Sequence, residues 1–241
     1  MRPGAIVLIG GRPMDKDEPE DLHRLCLSFA RPTRRVSVVG AAWNEPGYIA
    51  ELVQHYAGLG ANAEDAGLYE RGDAENCEIV ARLARADLIY FAGGTPRQLL
   101  EALRGTPAWQ QIFDAWCGGA VLAGISAGSE VMGAVVVSQT AGPAGRRGLG
   151  VLPQTVLAGH FSEWQRGSNL VATLTVHPDC VGIGIDEYTA AVARPGSNEL
   201  EIVGRGSVSL WIGGERRSQV GGGERLFLAS HVWGGPWRTA N

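Results

Sequence analysis

The sequence predicts an α/β protein: a three-layer sandwich around a mostly parallel sheet, with extra β strands towards the C-terminus. Two observations carry this. In the first two-thirds, short apolar or β-branched runs, AIVLIGG (5–11), RVSVVGAA (35–42), DLIYFAGG (87–94) and AVLAGIS (120–126), alternate with helical stripes. Strands apolar on both faces, separated by amphipathic helices, indicate a parallel sheet covered on both sides. After about residue 181 the texture changes to β-rich segments, GIGIDEYTAAVA, LEIVGRGSVSLWI and ERLFLAS, joined by Gly, Ser and Arg turns. These read as later strands, some antiparallel, at an edge or in a small extra sheet.

Each element has its own signal. AIVLIGG closes on Gly10 and Gly11 and forms the first strand. EDLHRLCLSFA (20–30) sets Leu22, Leu25, Cys26 and Phe29 at helical spacing. YIAELVQHYAGLG (48–60) places Ile49, Leu52, Val53 and Tyr56 on one face and ends in glycine. AENCEIVARLARA (74–86) repeats the stripe with Ile79, Val80 and Leu83. Thr95-Pro96-Arg97-Gln98 has the order of a capping box with proline at the first helical position. Thr106-Pro107 opens the next helix in the same way, and Cys117-Gly118-Gly119 closes it. The segment AGSEVMGAVVV after Ser126 reads as helical. Stretches 142–150 and 221–223 read as loops, no repeat is visible, and residues 1–241 are expected to form a single domain.

Composition narrows the function classes. The 241 residues are 45% hydrophobic, with 21 basic against 25 acidic side chains and a net charge of −4. That excludes disorder as the dominant state. No run approaches the roughly 18 apolar residues of a membrane span, and the N-terminus does not read as a secretory signal. Cys26, Cys77, Cys117 and Cys180 lie far apart with no CxxC pair, which suggests buried thiols in a reducing compartment and neither disulfides nor a zinc site. A cytoplasmic location is expected. All the basic residues except Lys16 are arginine, but they are scattered and the chain is acidic, so a nucleic-acid partner is not expected.

Chemistry concentrates at Gly124-Ile125-Ser126-Ala127-Gly128, a G-x-S-x-G sequence. A buried-type strand precedes the serine and a helical segment follows, the setting of a nucleophile elbow. That turn lifts the hydroxyl out at the carboxyl end of the sheet and aims the Ala127 amide at a developing oxyanion. The plainer alternative is a glycine-rich βα turn whose serine caps the helix. Among five histidines, His23 and His55 lie on amphipathic helices, His177 precedes Pro178 at a helix end, and His231 lies in the C-terminal Gly/Trp-rich tail. His160 ends the apolar segment TVLAGH, 34 residues after the serine, and is the best-placed base. Gly94, in the turn before Thr95, is a candidate second oxyanion donor, with a plain βα turn as the alternative.

The segments FAGGTPRQLL (91–100), GISAGSEVM (124–132), GHFSEWQRGSNL (159–170) and GIGIDEYTAAV (182–192) together resemble the serine peptidases that include peptidase E, the aspartyl dipeptidase, and cyanophycinase. The resemblance implies a class I glutamine-amidotransferase-like fold and a hydrolase with Ser126 as nucleophile, His160 as base, and Gly94 and Ala127 as oxyanion donors. No metal or organic cofactor is implied. Thr95 stands where the family has asparagine and is taken, with Arg166, as substrate-binding. Gly159 replaces the glutamine typical of cyanophycinases, and Arg166 alone fits their basic pattern. A small acidic peptide, cut beside aspartate by a monomer or homodimer, is therefore expected.

The third triad member is open. No acid lies between Val131 and Ser162, which leaves Glu130, one helical turn after Ser126, as the group expected to orient His160. Glu163 and the pair Asp186 and Glu187 are the alternatives. The rival functions are a cyanophycinase-like β-aspartyl peptidase, a small-molecule esterase or amidase, and a non-catalytic amidotransferase-like binding module.

Overall fold

A computed structural model of the chain describes residues 2–13, 15–43, 46–138 and 141–228. Its packing falls into two compact units. One is Met1–Val7 with His23–Gly128, and the other is Leu8–Leu22 with the chain from Ser129 onwards.

The elements run β1 (Ile6–Ile9), α1 (Glu20–Phe29), β2 (Arg35–Val39), α2 (Pro46–Gly58), β3 (Asn62–Asp65), α3 (Cys77–Leu83), β4 (Leu88–Phe91), α4 (Pro96–Leu103), α5 (Pro107–Cys117) and β5 (Val121–Ile125). In the first unit β2 pairs in parallel with β3 and β4, and β4 pairs in parallel with β5. Every residue of β4 and β5 is buried, as continuous apolar runs require of strands covered on both faces. β3 gave no sequence signal because it is short and polar, NAED, the composition of a strand with one neighbour and a solvated edge. Thr106 caps α5 as expected, its hydroxyl accepting from Trp109 N–H at 3.2 Å. Thr95 does not form the expected capping box. Its side chain makes no cap hydrogen bond, and its N–H is instead held on the Ala42 carbonyl at 2.7 Å.

The chain continues with α6 (Ala127–Glu130), β6 (Gly133–Val136), β7 (Arg146–Arg147), β8 (Leu152–Ala158), α7 (Gly167–Val176), β9 (Val181–Ile185), β10 (Thr189–Ala193), β11 (Glu199–Gly204), β12 (Ser207–Ile212), β13 (Glu215–Gly221) and β14 (Arg225–Phe227). In the second unit a six-stranded sheet has the order β13-β12-β9-β8-β6-β7. Its central pairs β6–β8 and β8–β9 are parallel, and the outer pairs are antiparallel. β10 pairs antiparallel with β11, and β11 antiparallel with β14. Helix α7 covers β8 with Leu170 and Leu174 beside Val156, Ala158 and Phe161. One expectation is corrected here. The segment after Ser126 is helical for only four residues, and Gly133–Val136 is strand β6, in keeping with its β-branched valines.

The four cysteines are free. Burial pushes the Cys26 thiol up to about 12. Cys77, however, is exposed, and Cys117 and Cys180 are half-buried, so the picture of uniformly buried thiols holds for Cys26 alone. Among the described residues no helix is long and apolar enough to cross a membrane.

Candidate active site

A single residue, Ser126, joins β5 to α6, and its φ is +53°. Left-handed backbone is uncommon for a residue with a Cβ, and its persistence between two buried elements marks stored strain. The glycines explain how so sharp a turn packs. A Cβ on Gly128 would lie 2.2 Å from the Phe91 carbonyl oxygen, so only glycine lets α6 sit on the end of β4. Gly94 has φ +138°, and its Cβ would lie 2.2 Å from the Ala42 carbonyl oxygen. Its neighbour Gly93 borders Ser126 itself, with the Cβ position 3.8 Å from the serine Cβ. The Gly93–Gly94 turn therefore flanks Ser126, while Ala127 opens the helix with a first-turn N–H that has no partner within the helix. This is the strand–turn–helix elbow that the G-x-S-x-G sequence predicted.

The second constellation lies in the other unit. β8 and β9 run parallel with Ala158 opposite Gly184, so both strands release their chains at the same edge. Two residues further along are His160 on one chain and Asp186, followed by Glu187, on the other. The His160 Nδ1–H donates to Glu187 Oε1 at 2.6 Å, with the two side chains 7% and 11% exposed. A proton held on Nδ1 by a carboxylate leaves Nε2 as the accepting nitrogen. Main chain fixes the ring as well. His160 has φ +45°, and its N–H donates to the Gly10 carbonyl at 2.9 Å.

The other acids have structural tasks. Asp186 accepts from Ser162 N–H at 3.1 Å and from Ser207 N–H and Oγ–H at 3.0 and 2.7 Å, which ties the histidine turn to the turn after β9. Glu163 accepts from the Glu187 N–H at 3.2 Å. Glu130 corrects the expectation that it orients His160. Both of its oxygens are taken by the Arg166 guanidinium, and Oε1 also accepts from Gly159 N–H at 3.0 Å. The reason is local: Ser126 is not helical and α6 ends at Glu130, so the assumed helical-turn spacing does not apply. Arg166 is corrected with it. Its guanidinium also donates to the Gly159 carbonyl at 3.0 Å and is 13% exposed, so it braces the residue before His160 and is not a free cation for substrate. Thr95 is exposed beside Gly94.

The remaining histidines stand apart. His23 is fully buried, its Nε2 3.1 Å from the Tyr90 hydroxyl and its ring stacked 4.9 Å from Tyr56, with His55 edge-on. His177 Nε2–H donates to the Ala144 carbonyl at 2.8 Å. His231 lies outside the described residues. Sequence reasoning missed Gly11, whose Cβ would fall within 2.3–2.7 Å of three His160 ring atoms, and Trp164, which stacks on that ring.

The model of peptidase family S51 matches residues 6–200. The chain belongs to peptidase family S51. This S51 peptidase is 31% identical over 218 residues to a cyanophycinase of Synechococcus elongatus, covering 86% of this chain and 67% of that one. A cyanophycinase of Nostoc sp. (strain PCC 7120) is also 31% identical, over 86% of this chain and 72% of its own. Among solved structures, a peptidase from an acI-B1 actinobacterium superposes with a TM-score of 0.78 at 27% identity, covering 94% of this chain and 97% of that chain. A protein from Listeria monocytogenes described as peptidase E shares the fold, with a TM-score of 0.59 at 16% identity over 84% and 98% of the two chains. The α/β class expected from the sequence thus stands, consistent with the class I glutamine-amidotransferase-like fold, and the protein is a serine-type peptidase.

In this S51 peptidase the Glu130–Arg166 pair makes a prediction of its own. Arg166→Met leaves a carboxylate that is 4% exposed without its partner. The expected destabilisation is about 3–5 kcal/mol, as for other broken buried pairs. Glu130→Gln with Arg166→Met should recover part of it, because no charge is then left buried. Urea unfolding of the single and double variants measures this, and a single variant within about 0.5 kcal/mol of the parent rules out the bracing role.

Proposed function

We propose that Ser126, His160 and Glu187 form the catalytic triad of a peptidase that cuts short peptides beside aspartate. The observation that carries it is the Glu187–His160 hydrogen bond, which gives a histidine at a strand end the tautomer of a general base. Nε2 takes the Ser126 proton as Oγ attacks the scissile carbonyl. The oxyanion rests on the N–H groups of Gly94 and Ala127. His160 then protonates the departing amine, and water, deprotonated by the same nitrogen, hydrolyses the acyl-enzyme. The paired turns after β8 and β9 hold the base, and the strained elbow presents the nucleophile.

For the acidic substrate, Arg166 gives way to Arg205. This exposed arginine lies over the Tyr188 ring at 5.5 Å, one residue beyond Glu187, and offers a guanidinium for a substrate carboxylate. Thr95, exposed beside Gly94, supplies a hydrogen bond in the place of the missing amide. A second reading, β-aspartyl cleavage, is favoured by the cyanophycinases at 31% identity. Turnover of α-Asp-X, β-Asp-Arg and Ala-X dipeptides and of p-nitrophenyl acetate separates the readings. Asp-X should exceed Ala-X in kcat/KM by at least about tenfold, the worth of one charge-assisted contact. Preference for β-Asp-Arg moves the assignment to the second reading. Ester hydrolysis without peptide cleavage, or a chain that a serine-directed phosphonate fails to label, sinks both.

A further inference from the structure

Trp164 is 61% exposed, yet it lies face to face on His160, which is 6% exposed. The ring centroids are 4.0 Å apart and the planes are 4° from parallel. An exposed indole with one face pressed to a buried imidazole is not explained by core burial.

The opposite face of the imidazole is also closed. A Cβ built on Gly11 would lie 2.3, 2.4 and 2.7 Å from Cε1, Nε2 and Nδ1 of His160. Three such similar distances place that point over the ring, because a point in the ring plane beyond Cε1 would be much farther from both nitrogens. It cannot be on the indole side, where atoms of Trp164 would be met first. The ring therefore lies between the Gly11 backbone and the Trp164 indole, with Glu187 at its Nδ1 edge. Trp164 is itself held by its main-chain N–H donating to the His160 carbonyl at 2.9 Å.

We propose that Trp164 is a positioning residue for the general base: its indole closes the open face of His160, fixes the ring plane, and presents its π face to the imidazolium that forms when the serine proton is taken. A cation is attracted to an indole face more than to any other side chain's ring, so the contact strengthens as the charge develops. Such an interaction acts on the transition state more than on substrate binding. The nearby acids do not duplicate it. Glu187 binds in the ring plane, Asp186 and Glu163 accept from main-chain N–H groups of the two turns, and Glu130 is neutralised by Arg166.

This inference rests on His160 being the catalytic base, and its test has one arm that needs no turnover. Trp164→Leu should lower kcat about tenfold with KM within about twofold, and Trp164→Phe, which keeps an aromatic face, should recover at least half of that loss on a logarithmic scale. The turnover-free arm is near-ultraviolet circular dichroism. The band present in the parent and absent in Trp164→Phe should collapse in His160→Ala, since the indole then loses its stacking partner. Parent-like kcat in Trp164→Leu, or a phenylalanine variant no better than leucine, overturns the positioning role. A dichroism band indifferent to His160→Ala overturns the stack. Undiminished turnover in His160→Ala instead removes the catalytic reading, and the proposal with it, while the dichroism difference between the parent and His160→Ala still reports the stack. The failures are thus distinguishable.

Discussion

Ser126→Ala should keep the fold and lose peptidase turnover by a factor on the order of 10⁶ in kcat, the loss seen when a triad serine is removed. The fold is preserved for a specific reason. Ser126 is half-buried and sits at φ +53°, a conformation that costs alanine no less and little more than serine, so the elbow keeps its shape. The glycines that permit the turn, Gly94 and Gly128, are untouched. What disappears is the hydroxyl proposed to form the acyl bond. Residual rate over water should remain, about 10³–10⁴-fold, because the proposed oxyanion donors, the N–H groups of Gly94 and Ala127, are kept. Steady-state turnover and the phosphonate adduct mass test this together with Tm. More than a trace of parent activity in a well-folded variant sinks the serine assignment.

Ser126 was legible in the sequence because its signal is local. An apolar strand, a G-x-S-x-G turn and a helix start fall within ten consecutive residues, and the backbone physics of that turn is written in its glycines. His160 was legible for a similar reason, since an apolar strand ending in histidine presents the ring at a sheet edge. Glu187 was legible only as one alternative among several. Its nearness to His160 comes from the parallel pairing of β8 with β9, which sets Ala158 opposite Gly184 across a helix and two turns of intervening chain. The available signal was the acidic pair directly after the apolar run GIGI, at the point where a second parallel strand must end. The choice of Glu130 failed because helical spacing was applied to a serine that is not helical and to a helix four residues long. The six-stranded sheet was hidden for a related reason, as GAVV, read as a continuing helix, is β6. Gly11 and Trp164 carried no signal of their own, because each matters only through the His160 ring lodged between them.

Glu187→Gln should cost on the order of 10²–10⁴ in kcat, with KM and thermal stability little changed. The carboxylate does two things for His160. It accepts the Nδ1 proton at 2.6 Å, which leaves Nε2 as the accepting nitrogen, and in the proposed mechanism it balances the positive charge that appears when the serine proton arrives. Glutamine keeps the size and can keep a hydrogen bond, but an amide is free to turn its NH₂ towards Nδ1. That would place the ring proton on Nε2, the nitrogen that must accept. Either outcome removes the countercharge, so a substantial loss is expected whichever way the amide points. The turn itself should survive, because its other anchors do not involve the Glu187 carboxylate. Asp186 still holds Ser162 and Ser207, Glu163 still accepts from the Glu187 main-chain N–H, and Thr189 still donates to the Glu187 carbonyl at 3.0 Å. Glu130→Gln provides the contrast. It disturbs a buried pair with Arg166 that touches Gly159, so its main effect should be on unfolding, with kcat reduced no more than about tenfold. The crossed pattern is the decisive result: a kcat effect at Glu187 with a stability effect at Glu130. If instead Glu130→Gln lost the larger part of kcat and Glu187→Gln less than about fivefold, far below any triad acid, the acid of the triad would have to be sought at Glu130 after all.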